Sequence, residues 1–115
     1  MPTTRALQLA SSLFLATNAQ TGTTYTTVLA DQGKVVELSN ASAITLTVPT
    51  NASVAYPVGT TINLLQTGAG QVTVAGAGGV TVNATPGLKL RAQWSSATLI
   101  KRAENTWVLV GDLSA

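Results

Sequence analysis

The clearest indication of the fold is the alternating segment Ile44-Thr45-Leu46-Thr47-Val48. Successive side chains of a β-strand point to opposite faces, so this pattern predicts a strand with one apolar and one threonine face. Threonine, valine and isoleucine are β-branched, which favours strands over helices. The same alternation returns as Val-Thr-Val at residues 72–74 and again at residues 80–82. These segments predict an all-β protein.

Strand patterns of this kind continue from residue 23 to the end of the chain, with turn-forming residues between them. The predicted strands are residues 24–30, 34–38, 44–48, 60–66, 71–75, 80–83, 88–92, 97–102 and 106–111. Pro49 and Pro57 exclude a central strand between them, where residues 51–54 are expected to form one helical turn. Many short strands with frequent turns predict a compact antiparallel β-sandwich or barrel of about eight or nine strands.

The chain divides near residue 22 into an N-terminal arm (residues 1–22) and a β domain (residues 23–115). The arm's apolar segment, residues 6–16, is shorter than the ~20 residues that span a bilayer, so no membrane partner is expected. It suits a short amphipathic helix or an extended arm that docks on a partner subunit. The residues predicted to bind that partner are Leu7, Leu9, Leu13, Phe14 and Leu15.

The chain is unusually poor in charge. Only 9% of its residues are charged, against about 25% in an average globular domain. Residues 38–88 carry no charge, and residues 1–30 carry only Arg5. We expect partner subunits there, and we expect the charges concentrated in residues 89–112 to face water. Because no basic run exceeds the pair Lys101-Arg102, nucleic acid is not an expected partner.

Enzymatic chemistry has little support in this sequence. Histidine and cysteine are absent, which removes the usual general base and thiolate nucleophile. The carboxylates Asp31, Glu104 and Asp112 fall in predicted turns or beside the C-terminus, where solvated side chains are expected. The glycines of residues 68–79 precede a strand and not a helix, so hairpin turns with positive φ explain them better than a phosphate loop. We expect no catalytic residue, metal or cofactor.

The last predicted strand, residues 106–111, is apolar on both faces. Trp107 shares a face with Leu109, and Val108 shares the other face with Val110. A strand of this kind needs cover on both sides. Either the chain's own loops or a second subunit could provide it, and in the second case Ile100, Val108 and Val110 are the candidate interface residues.

Two tryptophans and two tyrosines could supply a sugar-binding platform, since aromatic rings offer large amphipathic faces. Trp107 is better explained as a core residue because it alternates with Leu109. Trp94 has two open interpretations: it caps one end of the core, or it contacts a glycan.

Six segments of the β domain form a recognisable set: residues 28–34 (VLADQGK), 47–49 (TVP), 56–60 (YPVGT), 68–73 (GAGQVT), 96–101 (SATLIK) and 107–113 (WVLVGDL). Together they resemble a β module that recurs in virion proteins of tailed bacteriophages, including tail-fibre and decoration-type proteins, and the resemblance covers about residues 24–115. It implies a structural module that works as a homotrimer, and it brings no catalytic residues.

Because one arm and one module make up the sequence, without fibre repeats, a capsid decoration (cement) protein is the expected function. It would bind the major capsid protein and its own copies between capsomers on the capsid exterior. The alternative is a receptor- or carbohydrate-binding module of the tail or tail fibre.

Overall fold

The computed structural model describes residues 16–115, which form two β-sheets. A single 3-10 turn, Leu29–Asp31, lies between the second and third strands. The strands are β1 (Thr17–Gln20), β2 (Thr24–Thr26), β3 (Val35–Leu38), β4 (Ile44–Val48), β5 (Thr61–Gln66), β6 (Val72–Gly76), β7 (Thr81–Ala84), β8 (Lys89–Leu90), β9 (Ser96–Ala103), β10 (Thr106–Gly111) and β11 (Leu113–Ser114).

The chain winds between the sheets as a β-solenoid does. Sheet A has the order β1-β3-β5-β9-β10-β7, and sheet B has the order β11-β8-β6-β4-β2. From β1 to β9 each strand lies in the sheet opposite to the one before it. Each coil therefore lays its strands beside those of the previous coil, and β1, β3 and β5 run parallel, as do β2, β4 and β6.

The all-β class is confirmed, but the predicted antiparallel pairing is not general. Antiparallel pairs join β9 to β5 and β10, and β8 to β6 and β11. The remaining pairs of the described chain are parallel. The reason is the winding: from β1 to β9, strands that follow one another lie in different sheets and cannot form hairpins. A solenoid-like arrangement thus replaces the clear sandwich or barrel that we expected.

The core lies between the sheets and is built by residues in register on neighbouring coils. Ile44 and Leu46 pair with Val72 and Val74, and all four are at most 1% exposed. Burying one such side chain contributes roughly 1.5–3 kcal/mol. Trp107 is also core, as predicted, at 1% exposure. Its ring meets that of Tyr56 edge to face, with 5.4 Å between the centroids.

The glycines of the corner after β5 are explained by close packing of the coils and not by the positive φ that we predicted. The corner after β5 stacks on the corner after β3, where the Gly70 N–H donates to the Asn40 carbonyl at 2.8 Å. A Cβ on Gly68 would lie 2.7 Å from the Asn40 backbone nitrogen, and one on Gly70 would overlap the Ser42 carbonyl. Close stacking of coils therefore requires these glycines, whereas a positive φ is found at Gly79.

Two predicted boundaries differ from the structure by more than two residues. The strand predicted at residues 24–30 ends at Thr26, because Leu29–Asp31 forms the 3-10 turn. Residues 17–20, which fall within the predicted arm, form the edge strand β1 beside β3. The predicted helical turn at residues 51–54 is present, since the N–H groups of Ser53 and Val54 both donate to the Thr50 carbonyl.

Candidate functional site

The outer face of sheet A carries the three predicted interface residues. Val108 is in register with Ile100 of β9 on one side and with Asn83 of β7 on the other. Val110 follows on the same face and is 46% exposed, while Trp107 and Leu109 point into the core at 1% exposure. The two-faced apolar strand is therefore covered by the core on one side and remains accessible on the other.

A shallow groove of about 400 Å³ lies beside these residues at the edge of sheet A. Its walls are residues 83–85 and residues 108–111. The groove forms because β7 ends at Ala84, opposite Leu109, whereas β10 continues to Gly111. The sheet edge therefore recedes just where Val110 is exposed.

Residues 91–95 connect β8 to β9 and are called the Trp94 turn. The Trp94 side chain is 67% exposed, so it does not cap the core. Its backbone has a φ of 73°, a left-handed conformation that is costly for a bulky residue. The Trp94 N–H donates to the Gln66 carbonyl at 2.6 Å, and the Gln66 N–H donates to the Ser95 carbonyl at 3.0 Å. These bonds fix the turn to the end of β5.

The first residue of the Trp94 turn, Arg91, forms an ion pair with Asp112. Arg91 donates from Nε and Nη2 to the two carboxylate oxygens of Asp112, at 2.8 and 2.9 Å. The Ser95 hydroxyl donates to the same carboxylate at 2.7 Å. The hydrogen bonds from Arg91 and then Ser95 lower the pKa of Asp112, and the hydrogen bond to Asp112 raises the pKa of Arg91. Both side chains stay open to solvent, at 62% and 43% exposure.

Asp31 is not the solvated turn residue that we predicted. It is fully buried, and its carboxylate accepts hydrogen bonds from Tyr25 Oη at 2.6 Å, Asn18 Nδ2 at 2.9 Å and the Val28 N–H at 3.0 Å. Burial, and then the hydrogen bond to Asp31, raise the pKa of Tyr25 to about 12. The carboxylate links β1, β2 and the 3-10 turn, and this is a structural role.

Lys101 corrects the expectation that the charges of residues 89–112 all face water. Its side chain is 3% exposed, and Nζ donates to Asn51 Oδ1 and to the Tyr56 carbonyl, both at 2.6 Å. Lys101 shares the inner face of β9 with Ala97 and Leu99, so alternation along the strand already carried this signal. The neighbouring Arg102 is exposed as expected.

One set of predicted residues lies beyond the described part of the chain. The arm residues Leu7, Leu9, Leu13, Phe14 and Leu15 lie outside the described residues. Within residues 16–115, acidic side chains do not gather into a group that could hold a metal ion. The same residues contain no helix with the length and apolar character needed to cross a membrane.

Neither the protein-family models nor the curated proteins that we searched match this chain. Its function therefore has to be inferred from two surfaces. The first is the outer face of sheet A with its groove, and the second is the Trp94 turn with the Arg91–Asp112 pair.

Proposed function

We propose that this chain is a non-enzymatic structural protein of a bacteriophage virion. In this proposal it is a capsid decoration protein that forms homotrimers and binds the major capsid protein between capsomers on the capsid exterior. The virion assignment rests on the resemblance of residues 24–115. The single observation that supports assembly is the apolar outer face of sheet A, centred on Ile100, Val108 and Val110.

The two sheets of the same molecule differ on their outer faces. On sheet B, Thr24, Thr45 and Thr73 stand in register across β2, β4 and β6. This is the polar outer face expected of a sheet that meets water. On the corresponding face of sheet A, Ile100 stands beside Val108. The contrast favours sheet A as the face that a second subunit covers.

The apolar patch on the outer face of sheet A is too small to form a stable interface by itself. A stable protein interface buries about 800 Å² on each partner, and apolar burial contributes about 25 cal/mol per Å². A few aliphatic side chains supply only part of that area. The interface must therefore extend over the neighbouring threonine and asparagine side chains of β5, β7 and β9. Many weakly bound copies on one shell still stabilise it strongly, because linked sites bind with avidity.

Self-association is tested by placing a charge on each outer face in turn. We expect the unmodified protein to sediment as a trimer and Val108→Glu to sediment as a monomer, because the carboxylate would be buried without a partner. Thr45→Glu, on the outer face of sheet B, is the matched control and should remain trimeric. A monomeric parent protein, or equal effects of the two variants, would contradict the proposed interface.

The place in the virion is tested by copy number. A decoration protein should be present in numbers comparable to those of the major capsid protein, and particles without it should lose DNA at lower temperature. Quantitative mass spectrometry of purified particles measures the ratio of the two proteins. A few copies per particle would exclude decoration and favour the tail.

A further inference from the structure

The Trp94 turn is held in an unfavourable conformation by its surroundings. The φ of 73° is one that glycine would adopt without steric cost, yet the position holds the largest side chain. Strained residues persist where the surrounding structure fixes them, and they cluster at functional sites. The strain by itself names no ligand, but it singles out Trp94 among the exposed apolar residues.

The hydrogen bonds around the turn fix the backbone that carries Trp94. The Ala92 carbonyl accepts from the Ser95 N–H, and the Ala92 N–H donates to Ser95 Oγ, both at 3.0 Å. Gln93 Nε2 donates to the Thr67 carbonyl at 3.0 Å. Gln66, which bonds to the Trp94 backbone, is itself 1% exposed. A ligand that stacks on the indole would therefore need to order the Trp94 side chain but not the turn that carries it.

The Arg91–Asp112 pair adds polar groups suited to hydroxyl ligands. Arg91 uses Nε and Nη2 in the pair, which leaves the N–H groups of Nη1 outside it. Asp112 offers the carboxylate lone pairs that the pair leaves free. A hydroxyl group both donates and accepts hydrogen bonds, so of two neighbouring hydroxyls one can accept from the guanidinium while the other donates to the carboxylate. Because the pair is neutral as a unit, it favours an uncharged ligand.

We propose that the Trp94 turn and Asp112 form a binding site for a neutral hexopyranose saccharide. The C–H face of one sugar ring stacks on the indole of Trp94, and hydroxyls of the ring or its neighbour bind Arg91 and Asp112 through the N–H groups and lone pairs that the ion pair leaves free. The site is independent of the proposed assembly, which depends on Ile100 and Val108, so each can fail without the other.

The two tryptophans make the site directly observable. Trp107 is 1% exposed and Trp94 is 67% exposed, so acrylamide quenches the fluorescence of Trp94 selectively. The probe is an array of neutral oligosaccharides that includes polymers of glucose, galactose, mannose and N-acetylglucosamine. We expect at least one member to shift the emission to shorter wavelength and to protect Trp94 from quenching, with affinity then measured by calorimetry.

Substitutions at Trp94, Asp112 and Arg102 distinguish a loss of saccharide stacking from a loss of folding. Trp94→Gly removes the ring and relieves the backbone strain, so it should unfold at a higher temperature while losing saccharide affinity by about tenfold or more. Trp94→Tyr should retain part of the affinity, and Asp112→Asn should weaken binding several-fold. Arg102→Met, which removes an exposed arginine at the other end of β9, is the control and should bind normally.

Three results would overturn the proposal. The first is an array in which no neutral saccharide protects Trp94. The second is unchanged saccharide binding by folded Trp94→Gly. The third is protection of Trp94 in the parent protein that rises with protein concentration in the absence of sugar, together with loss of the oligomer in Trp94→Gly. That last result would assign the tryptophan to contact with a second copy of the chain.

Discussion

Removing the buried carboxylate of Asp31 should be one of the most damaging single changes to this fold. In Asp31→Ala the hydroxyl of Tyr25 and the N–H of Val28 lose their acceptor, and the amide of Asn18 loses one of two, since it also donates to Tyr25 Oη. These donors come from β1, β2 and the residue before the 3-10 turn. The change therefore affects the first coil of the solenoid, not one contact.

The magnitude follows from the number and burial of these groups. A buried donor without a partner costs about 1–3 kcal/mol, but Tyr25 and Asn18 are only half-buried and can recover some hydration. We therefore expect Asp31→Ala to lower the free energy of unfolding by about 3–5 kcal/mol, the combined cost of three donors that each lose a hydrogen bond. This is a large part of the roughly 5–15 kcal/mol that stabilises a typical domain.

Urea unfolding followed by the fluorescence of buried Trp107 measures the effect, and a double-mutant cycle with Tyr25→Phe locates it. The short Tyr25–Asp31 hydrogen bond should give a coupling energy of about 1–2 kcal/mol. Glu104→Ala, which removes an exposed carboxylate, is the control and should change stability by less than about 0.5 kcal/mol. A loss below about 1 kcal/mol in Asp31→Ala, or no coupling to Tyr25, would refute the structural role of Asp31.

Three further predictions concern pH, close packing and the buried lysine. The pKa of Tyr25 is raised from 10.0 to about 12, so its stabilising contribution should be complete below pH 10 and be lost as pH rises through 12. Urea unfolding of Tyr25→Phe should show less of this loss. Gly70→Ala should prevent folding because its Cβ would overlap the backbone of the adjacent corner, whereas Gly78→Ala meets no atom within 4 Å and should be tolerated, as circular dichroism can show. Lys101→Met leaves two carbonyl oxygens without their donor and should cost about 1–3 kcal/mol in thermal unfolding, whereas Arg102→Met should be nearly neutral.

Local alternation was sufficient to predict most strands. The segments predicted at residues 44–48 and 106–111 have those bounds in the structure, and Trp107 and Leu109 face the core as expected. The reason is that alternation depends only on which face of a strand is buried. It can therefore be read from the residues of that strand alone, without knowing its neighbours. The same pattern marked Lys101 as an inward residue, although its charge led us to place it in water.

The direction of strand pairing could not be predicted in this way. Whether β4 pairs with β6 or with β3 depends on the path that the chain takes after each corner. The alternation of apolar and polar residues in β4 would be the same for either partner. The edge strand Thr17–Gln20 was missed because its sequence, TNAQ, is polar and lacks β-branched residues beyond Thr17. The inward position of Asp31 gave no signal either, since Asp31-Gln32-Gly33 also reads as an exposed turn.

The structure makes the scarcity of charge more pronounced than composition suggests. Residues 16–115 contain nine charged side chains; of these, Asp31 and Lys101 are buried, and Arg91 and Asp112 neutralise each other. Few isolated charges are then left to attract a partner over distances beyond the Debye length, about 8 Å at physiological salt. Recognition by this surface must therefore depend on short-range contacts. Apolar burial on sheet A and stacking with hydroxyl bonding at the Trp94 turn are contacts of this kind, and neither needs a charged partner.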